Sequence, residues 1–178
     1  MNARQVIVRS LPWIIVFGVL VVLLWPDSGI HPRDARQEVC LSNIRSLGLA
    51  LLMYADDNQG TLPAAAVWAG DATLPYRHTD ETLRCPADKA AYSYAMNKNL
   101  SERKLEDLLQ HEEVPVLFDS TQGKRNAHDS GQSWPVPPRH PDGNSVAFAY
   151  GNVRCVRTKP DFRVRWRKGE PRAEGGLP

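Results

Sequence analysis

The order of signals along the chain predicts an α+β domain behind a membrane anchor: one amphipathic helix, then a small antiparallel sheet with long loops. Three observations carry this reading. An apolar run, "LPWIIVFGVLVVLLW", occupies Leu11–Trp25. A stripe at helical spacing follows in "QEVCLSNIRSLGLALLMYADDNQG". Two strand candidates joined by a tight turn, "NSVAFAYGNVRCVRT", come late. A chain of 178 residues holds one domain and an appendage. The expected division is a cytoplasmic tip and anchor over 1–29, an exported domain over 30–158, and a basic, flexible tail over 159–178.

Leu11–Trp25 reaches roughly 22 Å at about 1.5 Å per residue, short of the ~30 Å hydrocarbon core. Starting at Val6 supplies the missing length, with Arg9 snorkelling to the headgroups. Trp13 and Trp25 stand near the two ends, where interfacial aromatics belong. Arg4, Arg9 and the amino terminus precede the run, which places the N-terminus in the cytoplasm and the rest of the chain outside. A cleaved signal peptide is the competing reading. It needs an Ala-x-Ala-like site, and "PDSGIHPRDARQ" has none, so an uncleaved anchor is expected.

Asp34 with Gln37 three residues later fits a capping box at the start of the next helix. Cys40, Ile44, Leu47, Leu51 and Tyr54 then form one apolar stripe, widened by Leu41, Gly48, Leu52 and Ala55. Gly60 in Asn58-Gln59-Gly60 signals its end. Pro63, Pro75 and Pro86 break the following segment into a long ordered loop with short strands. Ser101 opens a short helix in "SERKLEDLLQHEE". "VPVLFDS" reads as a strand, "TQGKRNAHDSGQSWPVPP" as a polar loop. Gly151-Asn152 reads as a two-residue hairpin connection. The tail carries Lys159, Arg163, Arg165, Arg167, Lys168 and Arg172. It reads as a solvated end with an edge strand at "FRVRW"; the alternative is contact with an anionic partner such as lipid headgroups or cell-wall polymer.

Charged residues make up 24% of the chain, but net charge is only +2, so bulk charge gives no argument for nucleic-acid binding. Export would permit disulfides, and the three cysteines, Cys40, Cys85 and Cys155, allow one bridge at most. Their spacings of 45 and 70 residues match no metal-ligand motif, so neither a metal nor a cofactor is expected. An enzyme reading would use Asp119, His128 and His140 and requires them to converge within about 4 Å. Ser93 and Ser120 lack a nucleophile elbow. Cys40 lies on the apolar stripe, which suits a buried sulfur more than a nucleophile. "PDGN" at 141–144 reads as a β-turn. Asp56-Asp57-Asn58 reads as a solvated helix end, with weak calcium binding as the alternative. No catalytic residue is therefore expected. A binding-module reading would expose Trp68, Trp134 and Tyr76 to a peptide or glycan.

Five stretches occur in order: "CLSNIRSLGLALLMYADDNQGTLP", "LRCPAD", "YSYAMN", "LFDS" and "RHPDGNSVAFAYGNV". Together, over roughly residues 37 to 156, they resemble bacterial pseudopilin-like proteins with a prepilin-type N-terminus and a C-terminal His-x9-Asp-Gly motif. The resemblance implies a type IV pilin-like fold, in which a long N-terminal helix lies half in the membrane and half on an antiparallel sheet. It implies a single-pass protein of the bacterial inner membrane with an extracytoplasmic domain. Its role would be structural or secretion-associated, with the bilayer and other pilin-like or secretion-system subunits as partners. It also implies a bridge between Cys40 and Cys85 that leaves Cys155 free. It makes His140 the motif histidine and Gly151 the motif glycine. Here Tyr150 stands where the motif has its acid. No Gly-Phe-Thr-Leu-Ile-Glu-type processing sequence is present, and the first Glu is Glu38.

Overall fold

The computed structural model describes residues 16–21, 32–77, 79–110 and 112–167. The chain divides into two units, Met1–His31 and Pro32–Pro178. In the first, residues 16–21 are helical and exposed. The rest of the expected anchor, including Arg9, Trp13 and Trp25, lies outside the described residues.

The second unit is built on helix α1, Pro32–Asp57. Cys40, Ile44, Leu47, Leu51 and Ala55 of the stripe are buried. Gln37 departs from the expected capping box: its amide donates to Asp142 Oδ2 at 2.8 Å, so it ties α1 to the Pro-Asp-Gly turn. The helix stops where Gln59 and Gly60 both take left-handed backbone angles, φ 56° and 79°. The Gly60 N–H then donates to Ala55 C=O at 2.7 Å, which closes a Schellman-type end.

Five strands follow: β1 Tyr94–Asn97, β2 Pro115–Asp119, β3 His128–Asp129, β4 Asn144–Phe148 and β5 Val153–Val156. Their order in the sheet is β3-β1-β2-β4-β5. Tyr94 pairs with Asp119, Phe118 with Val146, and Ser145 with Cys155, all antiparallel. β3 runs parallel to β1, with Met96 opposite His128.

This overturns the pilin-like expectation. The sheet is mixed, not antiparallel, because a two-residue strand is delivered to the β1 edge by a long loop. Among the described residues no helix is long and apolar enough to cross a membrane. The fold is a small α+β domain with a five-stranded mixed sheet.

Alternation along the strands divides the core in two. Tyr94, Met96, Leu117 and Ala147 join the α1 stripe on one face. Ala95, Phe118, Val146 and Phe148 form the other face with Trp134 and Phe162. Gly48 lets α1 approach β4: an added Cβ would lie 3.2 Å from Ala147 Cβ.

Three local expectations are corrected. Among the described residues of "SERKLEDLLQHEE" the helical part is a short 3-10 turn, Leu105–Asp107. Glu102 and Gln110 on either side of it have φ of 55° and 59°, which no continuous right-handed helix tolerates. The hairpin connection spans residues 149–152, with Gly151 N–H donating to Phe148 C=O, instead of two residues. Residues 159–167, placed in the tail by sequence, lie against the domain: Phe162 is buried, and Leu109 N–H donates to Arg165 C=O at 2.9 Å.

Candidate functional site

The motif stretches singled out in the sequence meet at one buried place on the helix side of the sheet. α1 brings Cys40, the loop before β1 brings Cys85 and Asp88, the end of β2 brings Asp119, and the turn before β4 brings Arg139 and His140. Cys40 and Cys85 form a disulfide with Cα atoms 5.0 Å apart, and Cys155 is free. Both bridged cysteines and Asp119 are fully buried; His140 is 4% exposed.

Arg139 organises the cluster. Its Nη1 donates to Asp119 Oδ1 at 2.8 Å and to Ser93 C=O at 2.9 Å. Its Nη2 donates to Ser120 C=O at 2.7 Å and pairs with Asp88 Oδ2 at 2.8 Å. Asp119 Oδ2 accepts the Ser145 N–H at 2.6 Å. His140 Nε2 lies 3.6 Å from Asp119 Oδ2 and 3.6 Å from Cys85 Sγ. Tyr94 donates its hydroxyl to Cys40 C=O at 3.2 Å, and burial pushes that hydroxyl far above its ordinary pKa.

The turn carrying Arg139 and His140 is fixed by its own sequence. The Arg139 N–H donates to Asn144 Oδ1 at 2.8 Å, and the Gly143 N–H to His140 C=O at 3.1 Å. Gly143 has φ 131°, and a Cβ there would meet the Val156 backbone at 2.4 Å. Only glycine fits that approach to β5.

Burial sets the protonation states. It raises the Asp119 carboxyl to about 6, against the pull of Arg139 and the Ser145 N–H. It lowers His140 to about 4, with Arg139 adding to the effect. At neutral pH the imidazole is therefore neutral and the carboxylate charged. Between pH 4 and 6 the unfolded chain gives up the Asp119 proton before the folded chain does, so this group makes stability fall as pH rises. His140 works the other way: the unfolded side chain holds a proton up to about pH 6.5 and the folded one does not, so stability rises with pH. Urea midpoints at pH 4.5 and 6 should separate the two. His140→Gln leaves Asp119 unopposed and should lose stability over that step. Asp119→Asn should gain it, and the parent should fall between. Slopes of the same sign in both variants would refute these protonation states.

The remaining sequence candidates lie elsewhere. His128 sits on edge strand β3 with Nδ1 2.7 Å from Asn126 C=O, so the structure joins Asp119 and His140 without it. Trp68 is buried and donates its indole N–H to Ala127 C=O at 2.9 Å. Trp134 is buried with Phe118 and Phe162. Tyr76 donates to Asp57 Oδ2 at 2.7 Å. These aromatics pack under loops or against α1 and do not line a shared groove. In the Asp56-Asp57-Asn58 cluster, Asp57 takes the Tyr76 hydroxyl and the Asn58 amide turns back to Tyr54 C=O at 2.7 Å. Gly151 has φ 91° in the hairpin turn, and Tyr150 beside it is 71% exposed. The carboxylate that faces His140 thus comes from β2, not from position 150. Sequence reasoning missed Arg139 and Asp88 as members of the cluster. The only signal for them was their adjacency to His140 and Cys85 inside the quoted motifs.

No protein-family model, curated protein or solved structure matches the chain.

Proposed function

We propose that this chain serves outside the cytoplasm as a non-enzymatic structural or interaction domain of a bacterial envelope assembly. The observation that carries the reading is the commitment of its chemistry-bearing side chains to the fold. Asp119 is fully buried, Arg139 spends its guanidinium on two carboxylates and two carbonyls, and both bridged cysteines are shielded from solvent. A disulfide at the centre of the domain suits an oxidising compartment. The apolar run behind Arg4 and Arg9 suits delivery to the membrane for export. The motif resemblance points to secretion or surface-assembly subunits as partners.

α1 offers a place to test this. Leu49 and Met53 lie one turn apart on α1 and are each about half exposed. A photo-crosslinking amino acid at Met53 should give discrete adducts in the envelope fraction of whole cells, and the same label at exposed Arg125 should give none. A chain recovered from the cytoplasmic fraction with Cys40 and Cys85 reduced would refute the reading. So would identical adduct patterns from both positions.

A further inference from the structure

Among the described residues, one group of His, Cys and acidic side chains could share an ion: Cys40, Cys85 and His140, whose ligand atoms all lie within 4.8 Å of one another. All three are buried. Asp119 Oδ2 adds a fourth donor, 3.6 Å from His140 Nε2. We propose that the chain with its disulfide reduced binds one zinc ion through Cys40 Sγ, Cys85 Sγ, His140 Nε2 and Asp119 Oδ2.

The geometry is close to what zinc requires. With Zn–S near 2.3 Å and Zn–N and Zn–O near 2.0–2.2 Å, a tetrahedral site has S···N edges of about 3.6 Å and N···O edges of about 3.4 Å. The Cys85–His140 and His140–Asp119 separations are both 3.6 Å. Asp119, which lies outside the three donors within 4.8 Å of one another, must close on the sulfurs, and the S···S edge must open to about 3.8 Å for a tetrahedral site. Breaking the covalent bond opens that edge, since two thiols no longer share it.

The charges also fit. Zinc at +2 with two thiolates, one carboxylate and a neutral imidazole leaves the centre at −1, and the Arg139 guanidinium stands beside it. Asp119 is already oriented by Arg139 on Oδ1 and by the Ser145 N–H on Oδ2, as a metal-ligating carboxylate must be. A surface hollow lined by Arg36, Ala87, Pro138 and Pro141 reaches Arg139 and His140 and supplies a route for the ion. The donors come from four separate segments, so no ligand spacing reveals them in the sequence.

The chemistry balances with a phosphine as reductant. The phosphine takes an oxygen atom from water and becomes its oxide, while the S–S bond breaks and two S–H bonds form. Zinc then displaces both thiol protons to the buffer. Disulfide and metal become alternative staples of one place, selected by the redox conditions in which the chain folds.

The test uses the full chain, reduced with a phosphine in urea and refolded without oxidant, with Co²⁺ as the probe. The expected result is one Co²⁺ per chain. It should show a sulfur-to-cobalt charge-transfer band and tetrahedral visible bands, both bleached by one equivalent of Zn²⁺. The disulfide form should show neither. His140→Ala should weaken binding by about tenfold or more, and Cys40→Ser with Cys85→Ser should abolish the bands. If the reduced chain does not refold alone, zinc should restore its helical circular dichroism in the parent and not in the double-serine variant. A folded reduced chain without thiolate–cobalt bands overturns the proposal. So do bands that persist in the double-serine variant, which would then belong to Cys155, or a reduced chain that zinc fails to refold. None of these outcomes depends on the proposed envelope role, which the crosslinking experiment judges separately.

Discussion

Replacing Arg139 by Met should cost the domain about 3–5 kcal/mol, the range for breaking a buried ion pair from one side. The Arg139 side chain is 8% exposed and the Asp119 side chain 0%, so water cannot take over what the guanidinium does. Met fills much of the same volume but donates nothing. It would leave the Asp119 carboxylate buried without its counter-charge and take the guanidinium from the Ser120 carbonyl, while the Ser93 carbonyl would keep only the Ser120 N–H. Arg139→Lys should recover only part of the loss, because an ammonium cannot span two carboxylates and two carbonyls as the planar fork does. Adding Asp119→Asn to Arg139→Met should cost much less than the sum of the two single changes, since the stranded charge is gone. Urea unfolding followed by far-ultraviolet circular dichroism measures all four variants. An Arg139→Met variant within 1 kcal/mol of the parent, or additive losses in the double variant, would remove Arg139 from the centre of this account.

The second large effect is expected at the disulfide. The bridge closes a loop with a sequence separation of 45 residues. Restricting a loop of that length in the unfolded chain is worth about 4 kcal/mol. Cys40→Ala with Cys85→Ala should therefore lower stability by roughly that amount under metal-free conditions. Most of the loss should enter through the unfolded state, because the two small side chains leave the surrounding packing largely in place. The urea m-value should change as well, since the uncrosslinked unfolded chain exposes more surface. A loss below about 1 kcal/mol would mean that the bridge adds little to a core already held by α1 and the sheet.

What could be read from the sequence follows from the range of each signal. The α1 stripe is periodic and local, and the burial of Cys40, Ile44, Leu47 and Leu51 matches it. Strands β2, β4 and β5 were legible for the same reason. β3 was not, because two residues cannot show a period, and its parallel pairing makes the sheet mixed. The helix expected after Ser101 failed because non-glycine residues Glu102 and Gln110 adopt left-handed angles that nothing in their side chains announces. Trp68 and Trp134 read as loop aromatics. Trp134 instead helps cover the second face of the sheet, and a face closed by irregular chain has no repeat to detect. The cluster was legible only in pieces. The bridge came from a resemblance. Asp119 and His140 came with His128, which does not join them. Arg139 carries no mark in the sequence that separates it from a solvated arginine before a turn.

The complete burial of Cys40 and Cys85 also fixes when the bridge is made. An enzyme or small oxidant that forms disulfides must touch at least one sulfur, and in the finished domain neither can be touched. Oxidation therefore precedes the docking of α1 on the sheet, while the segment carrying Cys85 still moves past the helix. After that the bond is sealed against exchange, and removing it requires the domain to open first. The redox state of the mature chain is thus a record of the surroundings in which it folded, not a response to those in which it later resides.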